Sequence, residues 1–570
     1  MTSEQMNRLE NKPKQQRLLG VLLAFCMFST GASGLVNEYV LATITTYILG
    51  NSIEQFSIVI ASMMLMMGVS GLVQSKMSDN GLVHKFMAVE VIMAIMGGFA
   101  PLVIYGAYGY MQDHFELVHY FFVLSIGFLI GFEIPIVMRI IENNKFNLKA
   151  NLAIVYAMDY IGAFIGAIIW INYLLRYHPL TEISFIVAGF NFLIAILAVL
   201  YFIYRGDIKQ KFLTVTIITA TAAALIWGFN QNRDLSELFE QRFYEDPIVH
   251  RETTKYQHLV ITENKKAGDV RLYINGNTQF SSLDEDRYHD FLVHPAMTLN
   301  PEAKKVLVLG GGDGLALREL RKYQHIDSIT LVDLDPRMVA LASTNPYLVT
   351  LNKGAFEDAR LKVQSPAGLT DTNIMPVVLD TDSSFLDENS DQSWVASITV
   401  YNIDADLFIN KIGSHKWDVV IIDFPDPGSV ELSKLYSKQF YLKLARHLNK
   451  EAIIAIQSTS PYHSKEAYLT IGKTLNAAGF VTLPYRQNIP SFGDWGYYLA
   501  WQGITTTKQM KESIAGITEF KVDTNFITPE LLLASLAFGK NELISKSDCV
   551  NTIMFPCLVT QYTEYSWLIN

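Results

Sequence analysis

Four aspartates stand where hydrophobic runs give way to loops: Asp313 in KKVLVLGGGDGLALREL, Asp333 in SITLVDLDP, and Asp423 and Asp426 in WDVVIIDFPDP. If these runs are strands of a parallel sheet, their carboxyl ends open onto the ligand crevice and the acids face whatever binds there. The glycine-rich turn, Gly312 within it, lets the backbone approach a ligand closely, and an acid ending the next strand takes ribose hydroxyls. That layout suits an adenosine-containing ligand. Asp313 lies inside the turn, where a pyrophosphate-binding loop avoids negative charge, so the ligand is expected to be cationic at that point. Pro425 and Pro427 stiffen the last loop and fix the direction of its two acids. Capping of the following helix is the other use for Asp423 and Asp426. Four acids around one crevice favour catalysis.

These acids need a sheet to hold them. Strands are predicted at 305–309, 328–333, 398–403, 417–422 and 451–457, alternating with helices, which makes residues 298–504 a mainly parallel, doubly wound α/β domain. Before it, 251–297 reads as a small β subdomain of short alternating strands (YQHLVITEN, DVRLYING, NTQFSSL), with a tight hairpin at Asn275-Gly276, followed by the helical stretch DRYHDFLVHPAM. Residues 364–397 are polar and acidic and read as an inserted loop, and 505–570 form a C-terminal extension.

The rest of the chain is of another kind. After a tail, 1–17, residues 18–230 carry apolar stretches near 18–48, 54–75, 86–108, 117–141, 151–175, 182–204 and 212–229, and 231–250 is a polar linker. A helix needs ~20 apolar residues to cross a bilayer core, so the first six suffice and the seventh is marginal. Gly31, Ser33 and Gly34 predict a break or tilt in the overlong first stretch. Basic residues before the first span and after the second, fourth and sixth place the N-terminus in the cytoplasm. Six crossings would keep the α/β domain there and seven would export it; the length of 212–229 favours seven. Glu38, Glu90, Glu133 and Asp159 fall within spans, where carboxyls are costly; they are read first as glue between helices, with Arg139 a partner for Glu133, and second as a cation pathway. Gly127/Gly131 and Gly162/Gly166 have the spacing that lets helices approach closely.

Of the 570 residues 50% are hydrophobic and 18% charged, and the formal net charge of −10 argues against a nucleic-acid partner. Cys26, Cys549 and Cys557 have no metal-ligand spacing, and Cys549 and Cys557 are read as free thiols rather than a pair.

The ordered motifs Tyr256-Gln257, INGNTQ, DEDRYHD, GGGDG, LVDLD, DFPDP, QSTSPY and IPSFGDWGYYLA span roughly 250 to 505. On them the chain resembles the polyamine aminopropyltransferases, the spermidine synthase family, in their bacterial membrane-anchored form. The resemblance implies a multi-span α-helical membrane domain, a small β-strand subdomain and a Rossmann-like, methyltransferase-type catalytic domain. It implies aminopropyl transfer from decarboxylated S-adenosylmethionine, a co-substrate, to a diamine such as putrescine, with no cofactor or metal. Asp313 would hold the donor ammonium beside Gly312, Asp333 the ribose, and Asp404 with Ala405 would edge the adenine. Gln257, Tyr288 and His289 would line the aminopropyl and polyamine side, Asp426 would bind the acceptor, and Asp423 would be the general base. Asn275, Phe424-Pro425, Phe492 and Val430 depart from the family pattern and bear on the acceptor. A multi-pass protein of the bacterial inner membrane, in contact with lipid and homodimeric, is expected. The rival activities are an S-adenosylmethionine-dependent methyltransferase and a polyamine-binding transporter or sensor.

Overall fold

The structure, a computed structural model, describes residues 3–49, 52–143, 148–208, 210–357, 361–364 and 397–563. It forms two compact units, Met1–Pro247 and Ile248–Asn570. Apart from Gln364 and Ser397, the acidic insertion of 364–397 lies outside the described residues.

The first unit is helical: α1 (Ser3–Leu49), α2 (Ser52–Ser75), α3 (Leu82–Tyr110), α4 (Phe115–Asn143), α5 (Leu148–Ile169), α6 (Leu180–Arg205) and α7 (Lys211–Glu240). All seven carry a stretch long and apolar enough to cross a membrane. The stretch that is marginal in sequence opens a helix of 30 residues. Where a break was predicted, α1 runs through without one. Its glycines serve contact instead: a Cβ on Gly31 would fall 2.1 Å from the Asp159 carbonyl oxygen of α5, and one on Gly162 would fall 2.0 Å from that of Phe28. Gly127 and Gly131 give α4 the same closeness to α2 at Met63 and Met67.

The Glu133–Arg139 pairing does not form. Six positions on, Arg139 projects ~240° further round the helix. It donates to Asp79 at 2.6 Å and to the carbonyls of Gln74 and Met77. Glu133 is fully buried and accepts from Thr30, with Glu90 within hydrogen-bond reach; Asn191 in turn donates to Glu90 at 3.0 Å.

The second unit opens with an antiparallel sheet, β1 (Ile248–Thr253), β2 (His258–Asn264), β3 (Asp269–Ile274) and β4 (Asn277–Ser281), in sequential order. Asn275 (φ 51°) and Gly276 (φ 81°) form the hairpin turn between β3 and β4, both left-handed as a two-residue turn between twisted strands requires. Helix α8 (Glu285–Leu299) follows and buries Phe291, Leu292 and Val293.

The main sheet contains β5 (Lys305–Gly310), β6 (Ser328–Asp333), β7 (Leu361–Gln364), β8 (Ser397–Asn402), β9 (Trp417–Asp423), β10 (Leu448–Gln457), β11 (Val481–Ile489) and β12 (Gly493–Trp501), ordered β11-β12-β10-β9-β5-β6-β8-β7. The six strands from β10 to β7 are parallel, and β12 and β11 add an antiparallel edge. Val306 to Leu309 are wholly buried, as a central parallel strand covered on both faces must be. Chain order reverses between β9 and β5, and the crevice at such a reversal is where these sheets take ligands.

The C-terminal extension joins this unit: Met510, Ile514, Ile527 and Leu532 enter the core on one side of the sheet, and Leu558 enters it on the other. Cys549 and Cys557 form a disulfide, contrary to the free thiols read from sequence. The cause is local, since Thr552 and Phe555 exchange backbone hydrogen bonds at 3.2 and 3.1 Å and fold the segment between the cysteines back on itself.

Candidate active site

Register fixes the acids. Gly310 at the end of β5 lies opposite Asp423 at the end of β9, and Asp333 ends β6 one strand over. The glycine turn is held against Asp333, whose Oδ2 accepts from the Gly312 amide at 3.0 Å while Oδ1 accepts from the Asp335 amide at 2.8 Å. A Cβ on Gly312 would fall 2.6 Å from the Asp333 carboxyl, so only glycine allows this approach. Burial pushes the Asp333 carboxyl up to about 7 against those two amide bonds. Asp313 accepts from the Leu315 amide at 2.9 Å; burial raises its carboxyl and the His289 charge opposes that rise.

Asp423 accepts from the Tyr288 hydroxyl at 2.5 Å through Oδ1, while Oδ2 faces the glycine turn, 3.5 Å from the Cβ position of Gly311. Its carboxyl is pushed up to about 6 by burial, with the His289 charge pulling down and the Asp313 charge pushing up. A carboxyl so tuned accepts a proton near neutral pH better than an ordinary one. Tyr288 is backed by aromatic rings, with Phe492, Trp495 and Tyr497 at centroid distances of 6.0, 6.5 and 5.8 Å.

Asp426 sits behind. Its Oδ1 accepts from Gln457 at 3.3 Å and Oδ2 from Thr459 at 3.1 Å, and Tyr562 supplies a third hydrogen bond. Burial nonetheless lifts it to about 6. Neither acid caps the following helix: Ser429 does so, accepting from the Leu432 amide at 3.2 Å.

His289 Nδ1 lies 2.9 Å from Glu285 Oε2, and Arg318 grips Glu285 bidentately at 2.6 and 3.0 Å. Burial alone would lower the imidazole, but the bond and charge of Glu285, with the charges of Asp313 and Asp423, raise it to about 9. At neutral pH the crevice therefore has a cationic imidazole among its acids.

The structure brings Tyr288, His289, Asp313 and Asp423 together, and Gly312 with Asp333, while Asp426 follows Asp423 in the same loop. Gln257 stands beside Asp335, which accepts from Thr254 at 2.6 Å and whose amide donates to Asp333. Asp404 caps the helix Ala405–Lys411 through the Leu407 amide at 2.9 Å and takes Lys434 at 3.1 Å, with Ala405 buried behind it. Sequence reasoning gave no role to Gln457, Thr459, Glu285, Arg318 or Tyr562. The first four stand in or beside quoted motifs, whereas Tyr562 had no signal.

Among the described residues one cluster has metal-ligand geometry: Asp290, His294 and Glu319 present atoms within 4.8 Å of one another. Its cationic positions are already filled. Lys322 lies 2.6 Å from Glu319 Oε2, Arg318 lies 2.7 Å from Oε1, and Asp290 Oδ2 accepts from the Phe526 and Ile527 amides. It is a buried hydrogen-bond network beneath α8.

The spermine/spermidine synthase domain family matches residues 285–381 and 371–512, which include the glycine turn and the Asp423 loop. A polyamine aminopropyltransferase of Oceanobacillus iheyensis is 32% identical over 94% of this chain and 95% of its own length. Polyamine aminopropyltransferase 1 of Ralstonia nicotianae is 33% identical over 93% of each. The spermidine synthase structure from Thermotoga maritima overlays 52% of this chain and 87% of its own, with TM-score 0.40 and 24% identity. Identity at this level along nearly the whole length of both curated relatives, helical unit included, means that the chain belongs to the polyamine aminopropyltransferase family.

Proposed function

We propose that the crevice between β5 and β9 transfers the aminopropyl group of decarboxylated S-adenosylmethionine to a diamine such as putrescine, with Asp423 as the proton acceptor. A primary alkyl ammonium titrates near ~10.4, so only ~0.04% is a free nucleophile at pH 7 and deprotonation costs ~4.6 kcal/mol. Asp423 Oδ2 takes that proton, the freed nitrogen lone pair attacks the carbon beside the sulfonium, and the C–S bond electrons return to sulfur. Methylthioadenosine leaves neutral. Tyr288 orients the Asp423 carboxylate, and Asp426 pairs with the diamine's remote ammonium. Asp313 takes the donor ammonium, and Asp333, with Gln257 nearby, the ribose.

The observation that carries this reading is the placement of Asp423: buried, hydrogen-bonded by Tyr288 on one oxygen, with the other turned to the glycine turn. Methyl transfer would use the same turn and Asp333 but gives no reason for an acid inside the turn together with the Asp423/Asp426 pair. Incubation with each donor separates the two. Methylthioadenosine from the decarboxylated donor supports the proposal, and S-adenosylhomocysteine from S-adenosylmethionine refutes it.

The seven helices anchor the enzyme in a bilayer. With a cytoplasmic N-terminus, seven crossings carry the catalytic unit to the outer face, and the Cys549–Cys557 disulfide suits an oxidising compartment there. Protease cleavage of the catalytic unit in cells with a permeabilised outer membrane tests this, and full protection would overturn it.

A further inference from the structure

Asp426 receives its third hydrogen bond from outside the stretch that the family matches. The family match ends at residue 512, and Tyr562 stands on the helix Cys557–Thr563 beyond it. This helix is firmly held. Leu558 is wholly buried in the core that contains Phe424, Tyr436 and Ile422, and Tyr562 packs against the same core. Cys557, its first residue, is tied by the disulfide to Cys549. Between them Asn551 is a hub: its side chain donates to the Ser433 carbonyl at 2.8 Å, its amide donates to Thr474 at 3.0 Å, and its carbonyl accepts from the Lys438 amide at 2.9 Å. Gln561 adds a bond to Ser547 at 2.9 Å. The tail is thereby docked onto the segment that follows the Asp423 loop, and a Tyr562 ring carbon lies 3.5 Å from the Cβ position of Gly428 in that loop.

We propose that Tyr562 is a positioning residue for the acceptor amine: its hydroxyl donates to Asp426 and, with Gln457 and Thr459, holds that carboxylate turned toward the diamine. This rests on the assignment of Asp426 to the acceptor. A buried carboxylate is kept charged by the donors around it, and here there are three. Removing one leaves burial less opposed, so a larger share of Asp426 is protonated at neutral pH and the cationic acceptor loses its counter-charge. The other titratable groups facing Asp426 are the phenols of Tyr562 itself and Tyr436, and Asp423 lies in the same loop. Since Gln457 also donates to Tyr436's hydroxyl at 2.9 Å and to the Phe424 carbonyl, it cannot compensate by turning wholly to Asp426.

The test is steady-state kinetics of full-length Tyr562→Phe, which keeps the ring and its packing. The acceptor KM is expected to rise about 10-fold at pH 7, as for loss of one hydrogen bond to a charged group. The rise should shrink toward pH 9, with kcat and the dissociation constant of the decarboxylated donor within twofold of wild type. An unchanged acceptor KM, or equal losses in kcat and donor affinity, would overturn it. Asp426→Asn assayed in parallel separates the layers. If it raises the acceptor KM and Tyr562→Phe does not, the Tyr562 assignment alone falls; if neither does, the acceptor assignment of Asp426 falls with it.

Discussion

Replacing Asp423 by asparagine removes a proton acceptor and little else. The side chains are nearly isosteric, and the amide oxygen can still accept from Tyr288 where Oδ1 now does at 2.5 Å. Burial has lifted this carboxyl from an ordinary 3.8 to about 6, which closes ~2 pH units, ~3 kcal/mol, of the mismatch with an ammonium near ~10.4. Better matching by that amount is worth up to ~10²-fold, and a positioned general base as a whole ~10²–10⁴-fold. Turnover of Asp423→Asn is therefore expected to fall by at least ~10²-fold, with donor affinity within about threefold of wild type. The assay is single-turnover formation of methylthioadenosine with both substrates saturating, followed across pH. The wild-type rate should be lost as pH falls through about 6, because the base must be ionised and its pKa is raised, not depressed. In the variant that limb should vanish and the rate should climb toward the amine's own pKa. Turnover above a tenth of wild type, or an acid limb that persists unchanged, would remove Asp423 from the proton path.

Asp426→Asn should raise the acceptor KM by roughly 10-fold or more with little change in kcat, since a pairing with the remote ammonium acts alike in ground and transition states; steady-state kinetics with varied diamine checks it. Asp313→Asn should weaken the decarboxylated donor and narrow its advantage over S-adenosylmethionine, whose extra carboxylate meets the acid cluster; calorimetric titration of both ligands would show an undiminished gap if the assignment is wrong. Glu285→Gln removes the anion that, against burial, keeps the His289 imidazole at about 9. The ring should then titrate clearly below about 9, with the Asp313 and Asp423 charges still opposing burial, and an imidazole NMR resonance that still titrates near 9 would exclude Glu285 as its support.

The strand-end acids were legible because two signals coincide in each, an unbroken apolar run and a carboxylate where it stops. Asp333 and Asp423 end β6 and β9 as read. The strands β11 and β12 were not legible. Pro484 and Arg486 interrupt one and Gly493 to Gly496 open the other, so their pairing depends on partners brought up from the rest of the sheet. The side chains that tune the acids were harder still. Gln457 and Thr459 stand within a quoted motif, but their contact with Asp426 crosses ~30 residues. Tyr562 reaches it from a segment with no motif at all. The Cys549–Cys557 pair was misjudged because spacing alone does not reveal the Thr552–Phe555 fold-back. Arg139 went to Asp79 because helix rotation, not proximity in sequence, decides which charges meet.

The central claim is that this crevice joins an aminopropyl group to a diamine nitrogen. The direct measurement is mass-resolved product analysis of the purified full-length protein given decarboxylated S-adenosylmethionine and isotope-labelled putrescine. Labelled spermidine and methylthioadenosine appearing in equal amounts, both formed at least ~10²-fold more slowly by Asp423→Asn, is the expected result. Labelled putrescine recovered unchanged while wild-type protein converts S-adenosylmethionine to S-adenosylhomocysteine would contradict it.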